Sequence, residues 1–183
     1  MRDLFYRSFE RFMALERNNI LNGVSERNLC ARLGLYLEDE RRALRLDGYY
    51  VDPEYNRQQN GRIKTILDGN AQEVSITCDL ILHSRGVIVR RDNLIAIEMK
   101  KSDRSAAEKE SDRVRLRILT KDSYDGVWMA DGVTRPEYVC GYELGIFMEL
   151  DIQHRLVKVE EFRRGEALGR REFALAPVRD PEG

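Results

Sequence analysis

Two apolar, β-branched segments that lie close together in the chain constrain its fold most. EVSITCDLILH (73–83) and NLIAIEMK (93–100) both have the composition of a β-strand, and the polar stretch SRGVIVRRD separates them. Such a pair predicts a β-hairpin with a long or twisted tip. If the turn is centred near residues 88–89, Asp79 and Glu98 lie directly opposite each other on neighbouring strands.

Helical periodicity precedes this hairpin. Residues 1–18 place apolar side chains at near-helical spacing, which predicts an amphipathic helix ended by an Asn-Gly pair. A second helix is expected over 25–46, because Ser25 is a suitable N-cap. Glu26 heads the apolar stripe of this helix, so its carboxylate is predicted to point towards the body of the protein. Its other interpretation is a favourable interaction with the helix dipole.

Further strand and helix patterns lie between and after these elements. Tyr-Tyr-Val at 49–51 reads as a strand that Pro53 restricts to a sheet edge or a bulge. Residues 57–72 are expected to form a polar connection. Residues 103–120 predict a charged amphipathic helix. The side chains expected to face inward from that helix are Ala107, Val114, Ile118 and Leu119.

The C-terminal third completes the predicted topology. Strands are expected near 138–150 and 155–162, and the charged, proline-containing residues 164–183 are expected to be a flexible tail. The element order is therefore ααβββαββ. This order predicts one α/β domain over residues 1–183, with a mixed sheet flanked by helices and an extra helix at the N-terminus.

The cysteine and histidine content argues against several kinds of metal centre. Cys30, Cys78 and Cys140 lie far apart and have no C-x-x-C spacing, so neither a zinc site nor an iron–sulfur cluster is indicated. Buried free thiols in a reducing compartment explain them most simply. The only histidines, His83 and His154, form no cluster in the sequence.

The charge composition permits nucleic-acid binding without predicting it. There are 31 basic and 32 acidic residues, so the net charge of -1 provides no overall attraction to DNA. Most of the basic residues are arginines, which hydrogen-bond phosphate in a forked geometry. An arginine-biased genome is a simpler explanation for that excess. The charged N-terminus lacks the apolar stretch of a signal peptide, and no apolar run approaches the ~18 residues that span a membrane, so a cytoplasmic protein with no membrane partner is expected.

The predicted hairpin places an acid and a base side by side. Lys100 follows Glu98 by two residues, so both side chains lie on the same face of the strand. The opposite face carries Ile95, Ile97 and Met99, which belong in the core. A Glu-x-Lys pattern alone is usually a solvated face or an ion pair. A carboxylate such as Asp79 within an apolar strand is less ordinary, since unpaired carboxylates are rarely buried.

Two adjacent carboxylates repel each other unless a cation or a proton lies between them. Mg²⁺ prefers oxygen ligands, usually one or two carboxylates together with water and substrate phosphate. Asp79, Glu98 and the backbone carbonyl of Met99 are therefore candidate ligands for Mg²⁺ or Mn²⁺. Lys100 is a candidate to hold the attacking water and stabilise developing charge. Glu26 is a candidate to bind a metal-bound water or a second ion.

These residues resemble the signature of the PD-(D/E)XK nuclease superfamily, whose restriction-endonuclease-like core is an αβββαβ unit. The resemblance covers roughly residues 25–150, with Asp79 as the first acid, Glu98-x-Lys100 within IAIEMKKS, and Glu26 as the acid of the first helix. It implies that Asp79 and Glu98 are metal ligands, that Lys100 is the catalytic lysine, and that Glu26 is an accessory acid.

More narrowly, VDPEYNR, CDLILHSRG, NLIAIEMKKS and DRVRLRILT are similar to segments of a group of small bacterial proteins within that superfamily. Glu54 in the first of these segments is a further site candidate, although an acid at a strand edge is equally consistent with a structural role. The proline that usually precedes the first acid is Cys78 here. That proline does no chemistry, so the departure does not remove the site.

The resemblance implies metal-dependent cleavage of DNA phosphodiester bonds. The candidate phosphate contacts are Arg27, Arg57, Arg62 and Arg104, which lie near the motifs in the sequence. Two alternatives remain open: a non-catalytic module for nucleic-acid binding or protein interaction on the same fold, and an RNase or effector nuclease that needs a partner. A homodimer would suit cleavage of both strands of a duplex.

Overall fold

The computed structural model describes residues 1–54, 65–67, 73–75, 78–122 and 140–175. These residues form four helices and eight strands, joined by turns and one short 3-10 helix at Val89–Arg91. The helices are α1 (Arg2–Leu15), α2 (Arg17–Leu21), α3 (Glu26–Ala43) and α4 (Ala106–Leu119). The strands are β1 (Tyr50–Pro53), β2 (Thr65–Leu67), β3 (Glu73–Ser75), β4 (Leu80–His83), β5 (Asn93–Lys101), β6 (Leu144–Asp151), β7 (Leu156–Arg163) and β8 (Glu166–Ala174).

Six of the strands form one mixed sheet in the order β1-β4-β5-β6-β7-β8. The β5–β6 pair is parallel and its neighbours are antiparallel, while β2 and β3 pair separately. This confirms a mixed α/β fold with a sheet flanked by helices. Pro53 ends the edge strand β1, where a missing N–H donor is tolerated. No helix in the described part of the chain has both the length and the apolarity that crossing a bilayer requires.

The core has two layers, one on each face of the sheet. On one face, α1 and α3 pack over a cluster that includes Leu82, Ile95 and Ile97. On the other face, α4 packs over a smaller cluster that includes Ile81 and Ala96. Consecutive residues of β4 and β5 therefore point to opposite faces of the sheet, as the two-residue period of a strand requires. Both faces of β5 are therefore covered, which explains its almost uninterrupted apolar sequence.

The predicted hairpin register is confirmed, but the first strand is shorter than expected. Leu80 pairs with Ile97 and Leu82 pairs with Ile95, which places Asp79 opposite Glu98. The segment 73–83 is not one strand, however: β3 belongs to the two-stranded sheet, and β4 begins only at Leu80. Asp79 therefore lies in a bend immediately before β4.

The two N-terminal helices form where the apolar periodicity places them. The buried residues Leu4, Phe5, Phe9 and Phe12 form the inner face of α1. Leu15 completes the expected stripe but is 64% exposed, because the helix ends there. The Ser25 hydroxyl accepts a hydrogen bond from the Asn28 N–H, which confirms the predicted cap of α3. The short helix α2 was not expected.

The expectation of a flexible tail from residue 164 is wrong for the residues that the structure describes. Strand β8 pairs with β7 along its length after a tight turn at Arg164 and Gly165, both of which have positive φ. Its charged composition is that of an exposed edge strand. Charges and a register shift protect such an edge from pairing with other chains. Residues 176–183 lie outside the described residues, as does most of the expected polar connection 57–72.

Gly145 allows α4 to lie close to the sheet. A Cβ atom at this position of β6 would meet Thr120 Cγ2 at 2.9 Å and Phe162 Cβ at 3.1 Å. We therefore expect Gly145→Ala to lower the free energy of unfolding by about 1–3 kcal/mol, because helix and sheet must separate to admit the methyl group. Urea denaturation of the two proteins measures this difference. An unchanged midpoint and slope would show that the contact relaxes without cost.

Candidate functional site

The candidate site lies where β5 extends beyond the start of β4. Asp79 precedes β4. Its carboxylate accepts the kind of hydrogen bond from β5 that a backbone carbonyl accepts elsewhere in an antiparallel pair. Its Oδ2 atom accepts a hydrogen bond of 2.8 Å from the backbone N–H of Met99. Glu98 and Lys100 flank Met99 on β5 and face α4, on the same side of the sheet as Ala96. The structure therefore brings Asp79, Glu98 and Lys100 together at one end of β5.

Lys100 forms ion pairs with two carboxylates. Its Nζ atom lies 3.6 Å from Oδ2 of Asp79 and 3.1 Å from Oδ2 of Asp112 on α4. Burial alone would lower the pKa of this ammonium group, but the Asp79 and Asp112 charges outweigh burial and raise it. Lys100 is therefore held as a cation between the end of β5 and the first half of α4.

Glu98 is the most buried group of the site, with a side chain that is 1% exposed. Arg115 on α4 places Nη1 2.6 Å from its Oε1 atom. Burial, followed by repulsion from Asp79, raises the pKa of Glu98 to about 8, and Arg115 opposes that shift without cancelling it. A carboxylate in this position needs a cation or a proton near neutral pH, and Arg115 is its partner in the protein itself.

Sequence reasoning missed Asp112 and Arg115, because it assigned the wrong inner face to α4. Ala107 and Val114 were expected to face inward, but both are exposed. The residues buried against the sheet include Asp112, Leu116 and Leu119, which follow one another at helical spacing. Asp112 heads that stripe in the sequence. A polar residue at this position was the available signal that a charged group of α4 faces the sheet. Ile118 and Leu119 are buried as expected.

Glu26 lies beside the same strand end but binds different partners. Its Oε1 atom accepts a hydrogen bond of 2.8 Å from the Lys101 N–H, and Arg104 approaches both carboxylate oxygens at 3.2 and 3.3 Å. Burial alone would raise the pKa of Glu26, but the Lys101 N–H and the Arg104 guanidinium lower it below 4.5. Glu26 therefore secures the last residues of β5, next to Lys100.

Two of the remaining candidates pair with each other at the rim of the site. Arg27 forms a forked ion pair with Glu54, with distances of 2.5 and 2.6 Å, and its side chain is 78% exposed. The backbone N–H of Glu54 donates to the carbonyl of Asp79 at 3.2 Å, which links this pair to the site. The other two candidate phosphate contacts, Arg57 and Arg62, lie outside the described residues.

The donor atoms at this site fit a divalent cation held by few protein ligands. Within the described residues, no three His, Cys, Asp or Glu side chains converge in a way that could hold a metal ion. Asp79, Glu98 and the Met99 carbonyl nevertheless form a set of oxygen donors. Because the Met99 N–H points to Asp79, its carbonyl points to the same side of the extended strand. Two carboxylates completed by water and phosphate oxygens are a common environment for Mg²⁺.

Comparison of the chain with protein-family models, with curated proteins and with solved structures gives no match. The geometry of the site and the order of the secondary-structure elements therefore carry the functional argument.

The raised pKa of Glu98 makes a prediction about stability. Between about pH 4.5 and pH 8 the folded state holds a proton that the unfolded state releases, so rising pH removes stability. We expect the stability of the wild type relative to Glu98→Gln to fall between about pH 5 and about pH 9, because glutamine does not titrate. Urea denaturation in EDTA at both pH values measures the difference.

The exposed variant Asp39→Asn is the control for that measurement, because its ion pair with Arg11 lies at the surface of the N-terminal helices. Its stability relative to the wild type should change much less over the same pH range. A pH-independent difference for Glu98→Gln would show that Arg115 keeps Glu98 ionised throughout.

Proposed function

We propose that this chain is a metal-dependent nuclease of the PD-(D/E)XK type that hydrolyses phosphodiester bonds in DNA. The observation that carries the proposal is the convergence of Asp79, Glu98 and Lys100 on one face at the end of β5. Acid, acid and lysine are the residue types that the superfamily signature requires. Their arrangement arises from strand pairing, which is a stronger argument than their spacing in the sequence.

The topology supports the same proposal. Apart from β2 and β3, which lie between β1 and β4 in the chain and form a separate two-stranded sheet, the elements α3, β1, β4, β5, α4 and β6 have the order of an αβββαβ unit. Their four strands are neighbours in the sheet, and the crossover through α4 joins the parallel strands β5 and β6. We propose that this unit is a restriction-endonuclease-like core, to which α1, α2, β7 and β8 have been added.

In the proposed mechanism, Asp79, Glu98 and the Met99 carbonyl hold Mg²⁺ or Mn²⁺. When bound, such an ion polarises a phosphodiester and lowers the pKa of a bound water. The ammonium group of Lys100 is fixed by Asp79 and Asp112, so it offers a positioned positive charge to a phosphate at the site. Glu26 keeps the end of β5, and with it Lys100, in place through the Lys101 N–H.

A non-catalytic module on the same fold, for protein interaction and not for nucleic-acid binding, is the second candidate. The observation that favours it is that the described cations near the site are already paired: Lys100 with Asp112, Arg115 with Glu98, Arg104 with Glu26, and Arg27 with Glu54. A phosphate would have to compete with these carboxylates. The net charge of -1 adds no general attraction to nucleic acid.

We also propose a cytoplasmic location. Cys30 is a buried free thiol in the structure, which is the usual state of a cysteine in a reducing compartment.

Cleavage assays test the proposed activity directly. With Mg²⁺ or Mn²⁺, the wild type should cut one or more of supercoiled plasmid, linear duplex and single-stranded DNA, with RNA as a comparison. Asp79→Asn and Lys100→Ala should each reduce the rate by about 100-fold or more, because the first removes a proposed metal ligand and the second removes the positive charge offered to the scissile phosphate.

The matched control for Lys100→Ala is Lys121→Ala, which removes an exposed lysine just beyond the end of α4 and should leave cleavage unchanged. Absence of cleavage by the wild type on all four substrates would reject a nuclease that acts alone and leave the non-catalytic module and the nuclease that needs a partner. Cleavage that survives both site substitutions would show that the activity comes from another protein in the preparation.

The salt dependence of DNA binding tests two of the candidate phosphate contacts. Arg27→Ala and Arg104→Ala should each weaken binding and lower the slope of log K against log salt by about 0.9, the value for one lost phosphate contact on duplex DNA. Binding is measured in EDTA, so that no cleavage occurs. Arg11→Ala, on the outer surface of α1, is the control. An unchanged slope would remove Arg27 or Arg104 from the interface.

A further inference from the structure

Five charged side chains of alternating sign connect β4, β5 and α4 at the candidate site. Lys100 lies 3.6 Å from Asp79 and 3.1 Å from Asp112. Arg115 lies 3.0 Å from Asp112 and 2.6 Å from Glu98. Asp112 thus anchors both cations of the series, and each cation also contacts one of the two candidate metal ligands.

The contact between Arg115 and Glu98 involves one carboxylate oxygen. Within the described residues, hydrogen bonding to Glu98 reaches Oε1 only, through Nη1 of Arg115. Arg115 is held in turn by Oδ1 of Asp112, one turn earlier on α4. A carboxylate buried as deeply as Glu98 is strongly destabilising without a counter-charge, so Arg115 stabilises the fold when no other cation is present.

We propose that Arg115 is the resident counter-ion of Glu98 and competes with a divalent cation for this carboxylate, and that Asp112 sets the strength of the competition. The inference rests on the proposed function, because it takes the cation site to be Asp79 and Glu98. Nη1 of Arg115 lies 2.6 Å from Oε1 of Glu98, so a cation held by Glu98 would be repelled by the Arg115 guanidinium. Arg115 is therefore a positioning residue with opposite effects on the metal-free protein and on metal binding.

Substitutions at the two positions should change metal affinity in opposite directions. Arg115→Gln removes the competing charge, so Mn²⁺ should bind about tenfold more tightly than to the wild type. Asp112→Asn releases Arg115 and Lys100 from their anchor and removes a negative charge beside the site. Both effects should weaken Mn²⁺ binding, again by about tenfold. General loss of structure cannot produce the tighter binding expected of Arg115→Gln.

Stability provides a second readout that does not depend on activity. In EDTA at about pH 9, where Glu98 is ionised, Arg115→Gln should have a lower melting temperature than the wild type, because Glu98 then lacks its counter-charge. Saturating Mn²⁺ should raise the melting temperature of this variant by more than that of the wild type, since tighter binding to the folded state stabilises it more.

The experiment is calorimetric titration of Mn²⁺ into the full chain, combined with thermal unfolding in EDTA and in Mn²⁺. The proteins are the wild type, Arg115→Gln, Asp112→Asn, Asp79→Asn and the control Arg117→Gln. Arg117 lies two residues further along α4 and pairs with Glu110 at the surface, so its substitution should leave Mn²⁺ affinity unchanged. Asp79→Asn, which removes a proposed ligand, shows whether the titrated ion binds at the candidate site.

Tighter Mn²⁺ binding by Arg115→Gln and weaker binding by Asp112→Asn would support the inference. Wild-type binding at Asp79 with unchanged or weaker affinity in Arg115→Gln would overturn it and leave the nuclease proposal intact. No Mn²⁺ binding at Asp79 in any protein would overturn it together with the proposed metal site. If Arg115→Gln does not fold, Asp112→Asn decides the question, and equal or tighter binding by that variant overturns the inference.

Discussion

Glu98 places a carboxylate between the central sheet and α4, in a layer that otherwise contains side chains such as Ala96 and Leu116. Removing a charge from water at such a position is costly, and the protein compensates by supplying Arg115 from α4. Arg115 requires Asp112, and Asp112 also pairs with Lys100. The ion pairs that fix the position of α4 on the sheet are therefore the same ion pairs that form the candidate site.

The length of β5 also determines where Asp79 and Glu26 lie. This strand continues past the start of β4, and among the described residues no strand pairs with its last residues on that side. The Asp79 carboxylate serves the Met99 N–H, and Glu26 serves the Lys101 N–H. Both acids therefore accept hydrogen bonds from backbone N–H groups at the end of this strand. The same contacts bring them to the end of the strand, where both side chains remain partly exposed, so structural and proposed chemical roles coincide.

Sequence patterns predicted the parts of the structure that depend on neighbouring residues. The alternation in 93–100 and the centre of the hairpin were sufficient to place Asp79 opposite Glu98, because register follows from the turn and the period of a strand. The Ser25 cap and the buried face of α1 were predicted from local spacing. The edge strand β8 was missed, since an exposed strand carries charges that resemble those of a tail.

By itself, the sequence determined the mixed α/β class, the hairpin register, and the proximity of two acids and a lysine. These follow from periodicity and chain connectivity, which are local properties. The tertiary structure alone decided which face of α4 meets the sheet, and so that Asp112 and Arg115 join the site. That choice depends on how closely α4 can approach Gly145 and which side chains the sheet then buries, and the spacing of residues along α4 fits more than one inner face.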